Sequence, residues 1–232
     1  MKRKFVFSFG ENYHIYDRGI EKRVIFQDSS DYKRFVFLLN LANSNKPLIT
    51  RNSKQLLESG MLIKNDQEII TNIGAWCLMP NHFHLLLNEK IDGGISKFMS
   101  KVLTGYTMYF NQKYNRKGRL FESTFQAKHA NTDEYLKYLL AYIHLNPIKI
   151  IDSEWKEAGI KDLPKAKNYL KNYNYSSYLD YLGHNRIEEK ILNKEAFPEY
   201  FDTSLDFDNN LLEWLKYNDR QGLPLAKKDC QG

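Results

Sequence analysis

IITNIGAWCLMPNHFHLLLN, residues 69–88, is two apolar, β-prone runs separated by Met79–Pro80–Asn81. Pro and Asn favour a tight turn, so the stretch reads as two adjacent strands. The second run alternates His82, Phe83 and His84. Strand side chains alternate faces, which sends both imidazoles to one side and Phe83 to the other. Two residues of strand separate the imidazoles by about 6.5–7 Å, close enough for both to reach one ion. Two polar aromatics on the wet face of a sheet would give the same pattern, and the pair alone does not choose between the readings.

On the N-terminal side, FVFSFGENYHIYDRG (5–19) alternates around Tyr13 and Ile15 before a turn at Asp17–Gly19, which predicts a strand. SSDYKRFVFLLNLAN (29–43) offers Ser29, Ser30 and Asp31 as caps. Phe35, Leu38, Leu39 and Leu41 then follow helical spacing. Residues 42–67 are polar apart from QLLESGMLI and read as a loop or small insertion. C-terminal to the hairpin, Ile95, Phe98, Met99, Val102, Leu103, Tyr106 and Phe110 predict a long helix ending near Asn115. The basic loop KYNRKGRL leads into RLFESTFQAKHA, read as a strand. TDEYLKYLLAYIHLNPIKI is a helix with Thr132 as N-cap, Asp133 and Glu134 in its first turn and Pro147 as its stop. The order β, α, ββ, α, β, α is that of an α+β sandwich with helices packed on one antiparallel sheet. Beyond residue 150 the pattern is mainly helical and Tyr-rich. The expected organisation is therefore a main domain over 1–150 and a helical extension over 151–232.

Of 232 residues, 42% are hydrophobic and 27% charged, as in a soluble globular protein, and no apolar run is long enough to span a bilayer. The start, MKRKFVFSFG, lacks the long apolar core of a signal peptide. Cys77 and Cys230 form neither a disulfide framework nor a metal-binding pair, so a reducing cytoplasm is expected. The charge is uneven: residues 1–150 carry a formal +9 and residues 151–232 a formal −3. The basic part favours a polyanionic partner, although a solvated lysine-rich surface has the same composition.

In AYIHLNP, Tyr142 and Asn146 are four residues apart and share a helical face, with Tyr138 one turn further back. A phenol beside an amide oxygen offers a nucleophile and an ion ligand at one site. A tyrosine titrates near pH 10 and needs activation to attack phosphorus, and an ion on two His and Asn146 would polarise a phosphodiester. The same helix, with Leu136, Leu139, Leu140, Ile143 and Leu145, would also bury several of these residues simply as core.

YHIYDRG, MPNHFHLLL, FNQKYNRKGRLF and DEYLKYLLAYIHLNPIK, in that order, resemble the REP-associated tyrosine transposases, a branch of the single-tyrosine HUH transposases. The likeness runs from about Tyr13 to Ile150, and NYNYSSYLDYLG resembles the segment that follows the catalytic helix in that family. It implies a ferredoxin-like or RRM-like antiparallel sheet with helices on one face. It also implies Mg²⁺ or Mn²⁺ on His82, His84 and Asn146, with Tyr142 as nucleophile and Tyr138 as a decoy. The implied reaction is cleavage and transfer of single-stranded, hairpin-forming DNA through a 5′-phosphotyrosine, in the bacterial cytoplasm, by a monomer or homodimer. Arg18, Arg116, Lys117, Arg119 and Lys128 are the candidate phosphate contacts. Two positions depart from the family pattern: Thr124 stands where an Arg is expected, and Asp17 where Asn is usual. Two alternatives stand beside this one: a hairpin-DNA-binding protein with no transposition, and a metal-dependent phosphoesterase.

Overall fold

The computed structural model describes residues 6–47 and 69–216. Strands β2 (Thr71–Met79) and β3 (His82–Glu89) pair antiparallel across Pro80–Asn81, with Met79 opposite His82. A register shift between Ile73 and Ala75 leaves Gly74 as the extra residue of a bulge. A side chain there would collide with the ring of Phe197, whose nearest atom lies 2.7 Å from where a Cβ would sit. β3 pairs with β1 (Asn12–Arg18), and β1 with β4 (Gln126–His129). The strand order is β2-β3-β1-β4, with every neighbouring pair antiparallel. Helix α1 (Ser29–Leu41) connects β1 to β2, and α2 (Gly94–Lys113) lies between β3 and β4, giving the βαββαβ arrangement of ferredoxin-like folds.

One face of the sheet, carrying Tyr13, Ile15, Ile73, Trp76, Leu78, Phe83, Leu85 and Leu87, buries against Phe35 and Leu39 of α1 and Phe98, Val102, Tyr106 and Phe110 of α2. α1 starts one residue earlier than its serines suggest. Asp28 is the N-cap: its carboxylate accepts from the backbone N–H groups of Ser30 and Asp31, while Asp31 accepts from that of Asp28, closing a capping box. Asp31 also pairs with Lys113 Nζ at 2.7 Å, which ties the start of α1 to the end of α2.

The other face is covered as well. α3 (Asp133–Leu145), capped by the Thr132 hydroxyl as expected, lays Tyr135, Leu136, Leu139, Leu140, Tyr142 and Ile143 over Ala75, Cys77, Met79 and Leu86. Its remaining side is apolar too: Ala141 and Leu145 pack with Ile148, Trp155, Leu170, Tyr178, Phe207 and Leu211 of the following segments. Those segments run through a 3₁₀ turn (Asn146–Ile150) and helices α4 (Trp155–Ala158), α5 (Leu163–Asn172), α6 (Tyr178–Tyr181) and α7 (Ser204–Lys216). They also close the outer edge of β2. Leu78 N–H donates to the Tyr175 carbonyl, and Ser177 N–H to that of Trp76. A strand edge that would otherwise recruit another chain is thereby paired.

The strand expected over 119–130 is shorter than its alternation suggests: only Gln126–His129 pair in the sheet. Phe125 has φ 147°, outside the extended region, and breaks the run, while Phe121 makes an isolated bridge to Gly19. Of the loop expected over 42–67, residues 48–67 lie outside the described residues, as does Cys230. Among the described residues no helix is long and apolar enough to cross a membrane.

Asp17 is 3% exposed. Its Oδ1 accepts from Arg18 N–H and Ser123 Oγ, while its buried Oδ2 has no hydrogen-bond partner. Burial raises its pKa to about 6, with Glu122 adding to the rise against hydrogen bonds from Arg18 and Ser123. The folded pKa lies above the unfolded value, so the folded state holds the proton longer and stability falls as pH rises from about 4 to about 6. Asp17→Asn removes that ionisation. Above pH 6 the variant is expected to be more stable by on the order of 2 kcal/mol, and below pH 4 the difference should vanish. Urea denaturation at pH 4 and pH 7.5 checks this; a variant less stable at pH 7.5 contradicts it.

Candidate active site

Alternation in β3 places Phe83 in the core beside Phe35, with ring centroids 5.1 Å apart, and turns His82 and His84 toward α3. β1 adds a third imidazole on the same face. His14 is opposite Leu86, two residues along from the Tyr16–His84 pair, and its Nε2 lies 2.9 Å from His84 Nδ1. From α3, the ring of Tyr142 meets both edge-on, with centroids 5.3 Å from His84 and 5.7 Å from His14. His82 and His84 are 4.9 Å apart by the same measure. Tyr142, His84 and His14 are buried; His82 lies at the half-exposed rim.

Asn146 ends α3, fully buried, and its Nδ2 donates to the Tyr142 carbonyl at 2.8 Å. A carbonyl only accepts, so the amide nitrogen must face it and Oδ1 points the other way. That Oδ1 has no hydrogen-bond partner, and neither does His84 Nε2. His14 Nδ1 lacks one too, and since an unmet buried polar atom costs about 1–3 kcal/mol, these atoms call for an explanation. The donor chemistry suits a divalent cation. His82 Nδ1 lies 2.6 Å from Asn81 Oδ1, which can only accept, so the ring proton sits there and Nε2 keeps its lone pair. His84 Nδ1, facing His14 Nε2, likewise leaves Nε2 as the outward atom.

All three imidazoles are neutral at pH 7. Burial, then Lys128 and Lys156, push His14 down to about 3. Burial, then Lys149, Arg18 and Lys156, push His82 to about 3. Burial, then His82, His14, Lys149 and Lys156, hold His84 well below the usual imidazole range. A neutral floor thus lies within the field of four cations, an arrangement matched to a bound phosphodiester. Among the described residues no three or more His, Cys, Asp or Glu are grouped to hold a metal, so an ion here would need Asn146 as its third protein ligand.

The model of the family described as "Transposase IS200 like" matches residues 32–146, a span that includes His82, His84, Tyr142 and Asn146. Residues 32–146 belong to the IS200-like transposases. No curated protein matches it. Among solved structures, that of a REP-associated tyrosine transposase bound to a REP hairpin is similar over 81% of this chain and 89% of its own, at 12% identity and a TM-score of 0.49.

The candidate phosphate contacts fall into two groups. Arg18 and Lys128 stand on the histidine face. Arg18 is opposite His82 in register and makes a two-point ion pair with Glu122 at 3.0 and 3.1 Å. Lys128 is opposite His14, its ammonium 4.5 Å from the Tyr135 ring centroid. Arg116, Lys117 and Arg119 lie instead in the loop after α2, which is hydrogen-bonded to the end of β1 through Ile20 N–H to Leu120 O and Glu122 N–H to Arg18 O. Arg116 donates to Asn111 Oδ1 and Arg119 to the Glu122 carbonyl, while Lys117 is exposed, as is Thr124 in place of the expected Arg.

Three members of this cluster were not singled out from sequence: His14, Lys149 and Lys156. His14 stood in plain view within YHIYDRG, and alternation puts it on one face with Tyr16. Which strand that face adjoins depends on register, which spacing does not reveal. A further imidazole, His144, contacts Ser177 Oγ at 2.7 Å and the Leu140 carbonyl at 2.8 Å, fully buried on the far side of α3, where it ties the helix to the C-terminal segment.

Proposed function

We propose that this IS200-like transposase cleaves and rejoins single-stranded, hairpin-forming DNA through a 5′-phosphotyrosine on Tyr142, with Mg²⁺ or Mn²⁺ held by His82, His84 and Asn146. The observation that carries this reading is the Tyr142 ring lying edge-on to buried His84, whose Nε2 lacks a partner, on a helix whose C-cap, Asn146, leaves its own buried Oδ1 without one. Tyr142 Oη attacks the scissile phosphorus; the Oη–P bond forms and the P–O3′ bond breaks. The phenolic proton is balanced by the one taken up at the released 3′-OH. A second 3′-OH reverses the exchange and joins strands, so no ATP is consumed. A bound divalent ion would neutralise charge building on the non-bridging oxygens. The chain's own part is to hold Tyr142 on a rigid helix, to keep the imidazoles neutral, and to receive the phosphate among Arg18, Lys128, Lys149 and Lys156. The reading places the enzyme on DNA in the bacterial cytoplasm, as a monomer or homodimer.

The direct test is incubation of the protein with a hairpin-bearing single-stranded oligonucleotide and Mn²⁺, resolved on a denaturing gel. A covalent protein–DNA band with a shorter strand ending in 3′-OH is expected. Cleavage with a free 5′-phosphate and no adduct would favour the phosphoesterase reading, and binding without cleavage the hairpin-binding one.

In the same reading His14 orients the metal ligand beside it, accepting at Nε2 the proton that His84 carries on Nδ1. His14→Gln keeps an acceptor there and His14→Leu does not. The Leu variant is expected to bind Mn²⁺ about 10–100-fold more weakly, measured by titration followed by electron paramagnetic resonance, with Gln recovering most of the loss. Equal affinity in His14→Leu and wild type would contradict the role.

A further inference from the structure

Lys156 is delivered to the candidate site by the segment beyond the family match, which ends at Asn146. Its ammonium lies 3.8 Å from the centroid of the Tyr142 ring. The neighbouring residue explains how it is held there. Trp155 is 5% exposed and packs among Leu145, Ile148, Leu170 and Phe207, so α4 is pinned to the back of the helix that carries Tyr142. The lysine side chain reaches from that anchor and remains half-exposed. Its charge is felt by His14, His82 and His84 alike, which puts it within electrostatic reach of the whole cluster.

We infer that Lys156 is a catalytic residue of the strand-transfer reaction, its ammonium taking a non-bridging oxygen of the scissile phosphate as Tyr142 attacks. The inference rests on the proposed function above. A phosphate in line with Tyr142 Oη must arrive beside the ring, where a cation already stands. In the transition state the non-bridging oxygens gain charge, and an ammonium already held beside the Tyr142 ring stabilises that charge more than it stabilises the bound substrate. The ammonium keeps its proton throughout: Oη–P forms, P–O3′ breaks, and the proton balance runs from phenol to 3′-OH as before. The C-terminal segment thus contributes to the chemistry as well as to packing and edge protection.

The test compares full-length wild type with Lys156→Met, Lys156→Arg, Lys156→Ala and Tyr142→Phe on one hairpin oligonucleotide with Mn²⁺. It records the dissociation constant for the hairpin and the single-turnover rate of adduct formation at saturating DNA. Lys156→Met is expected to lower that rate about a hundredfold while hairpin affinity changes by less than about tenfold. Lys156→Arg should recover part of the rate. Added ethylammonium should accelerate Lys156→Ala and leave wild type unchanged. A Lys156→Met rate within twofold of wild type, alongside a Tyr142→Phe variant that forms no adduct, would overturn the assignment and leave the nucleophile standing. A faster Lys156→Met would identify the lysine as a cover over Tyr142 and would equally overturn it. Unchanged adduct in Tyr142→Phe would instead sink the reading on which the inference rests.

Discussion

Tyr142→Phe is expected to reduce covalent adduct formation on a hairpin oligonucleotide by at least about a thousandfold, while Tyr138→Phe leaves it within about threefold of wild type. The two phenols are one turn apart on α3 with ring centroids 5.9 Å from each other, so sequence spacing barely separates them. Their surroundings do. Tyr142 faces the sheet, edge-on to His84 and His14, and its carbonyl accepts from Asn146 Nδ2. Tyr138 meets the indole of Trp214 on α7 at 5.5 Å. The loss in Tyr142→Phe is chemical: one oxygen is removed and the aromatic packing in the second core cluster is kept, so the thermal midpoint should hold within a few degrees. Adduct at the wild-type level in Tyr142→Phe would remove the tyrosine from the mechanism.

The second large effect is expected at the proposed metal ligands. His82→Ala should lower cleavage by about a hundredfold or more, since an ion that loses one of three protein ligands stabilises the phosphoryl charge poorly. Hairpin affinity should stay within roughly tenfold, because phosphate contacts by lysine and arginine supply most of it. His82 is the better choice for this test than His84. It sits at the half-exposed rim, so its truncation leaves no sealed cavity, whereas His84 is 1% exposed and packed between His14 and Tyr142. Mn²⁺ affinity should fall in parallel with cleavage. Cleavage within twofold of wild type in His82→Ala would exclude the imidazole as a ligand, and joint loss of cleavage, binding and thermal stability would indicate misfolding.

The α+β class and the order of elements along the chain were legible because alternation in 69–88 and helical spacing in 95–110 and 132–145 are long and unambiguous. The pairing His82–His84 followed from the two-residue period of a strand, and Tyr142–Asn146 from the turn of a helix. What could not be read was which elements meet across the sheet. α3 looked like another helix of the sandwich, yet it covers the face opposite α1 and α2, and its second apolar side explains why residues after 150 are needed to bury it. His14 was missed for the same reason, since the contact with His84 spans 70 residues and rests on strand register. Lys156 escaped notice because a lone lysine on a short helix carries no periodic signal. β4 was over-read because alternation in RLFESTFQAKHA continues through Phe125, where the backbone turns away. Asp28 was overlooked as the cap because three further polar residues follow it, and the choice among them is made by which side chain folds back on the free N–H groups.

The proposed bond between DNA and Tyr142 can be located directly in this chain. Cleavage after Lys137 and Lys149 releases YLLAYIHLNPIK, a peptide that contains both Tyr138 and Tyr142. After reaction with hairpin oligonucleotide, nuclease trimming and tryptic digestion, fragment-ion mass spectrometry of this peptide distinguishes the two positions. The nucleotide mass is expected on fragments that retain Tyr142 and to be absent from those that retain Tyr138 alone. A nucleotide mapped to Tyr138, or to any peptide other than this one, would contradict the assignment of Tyr142 as the nucleophile.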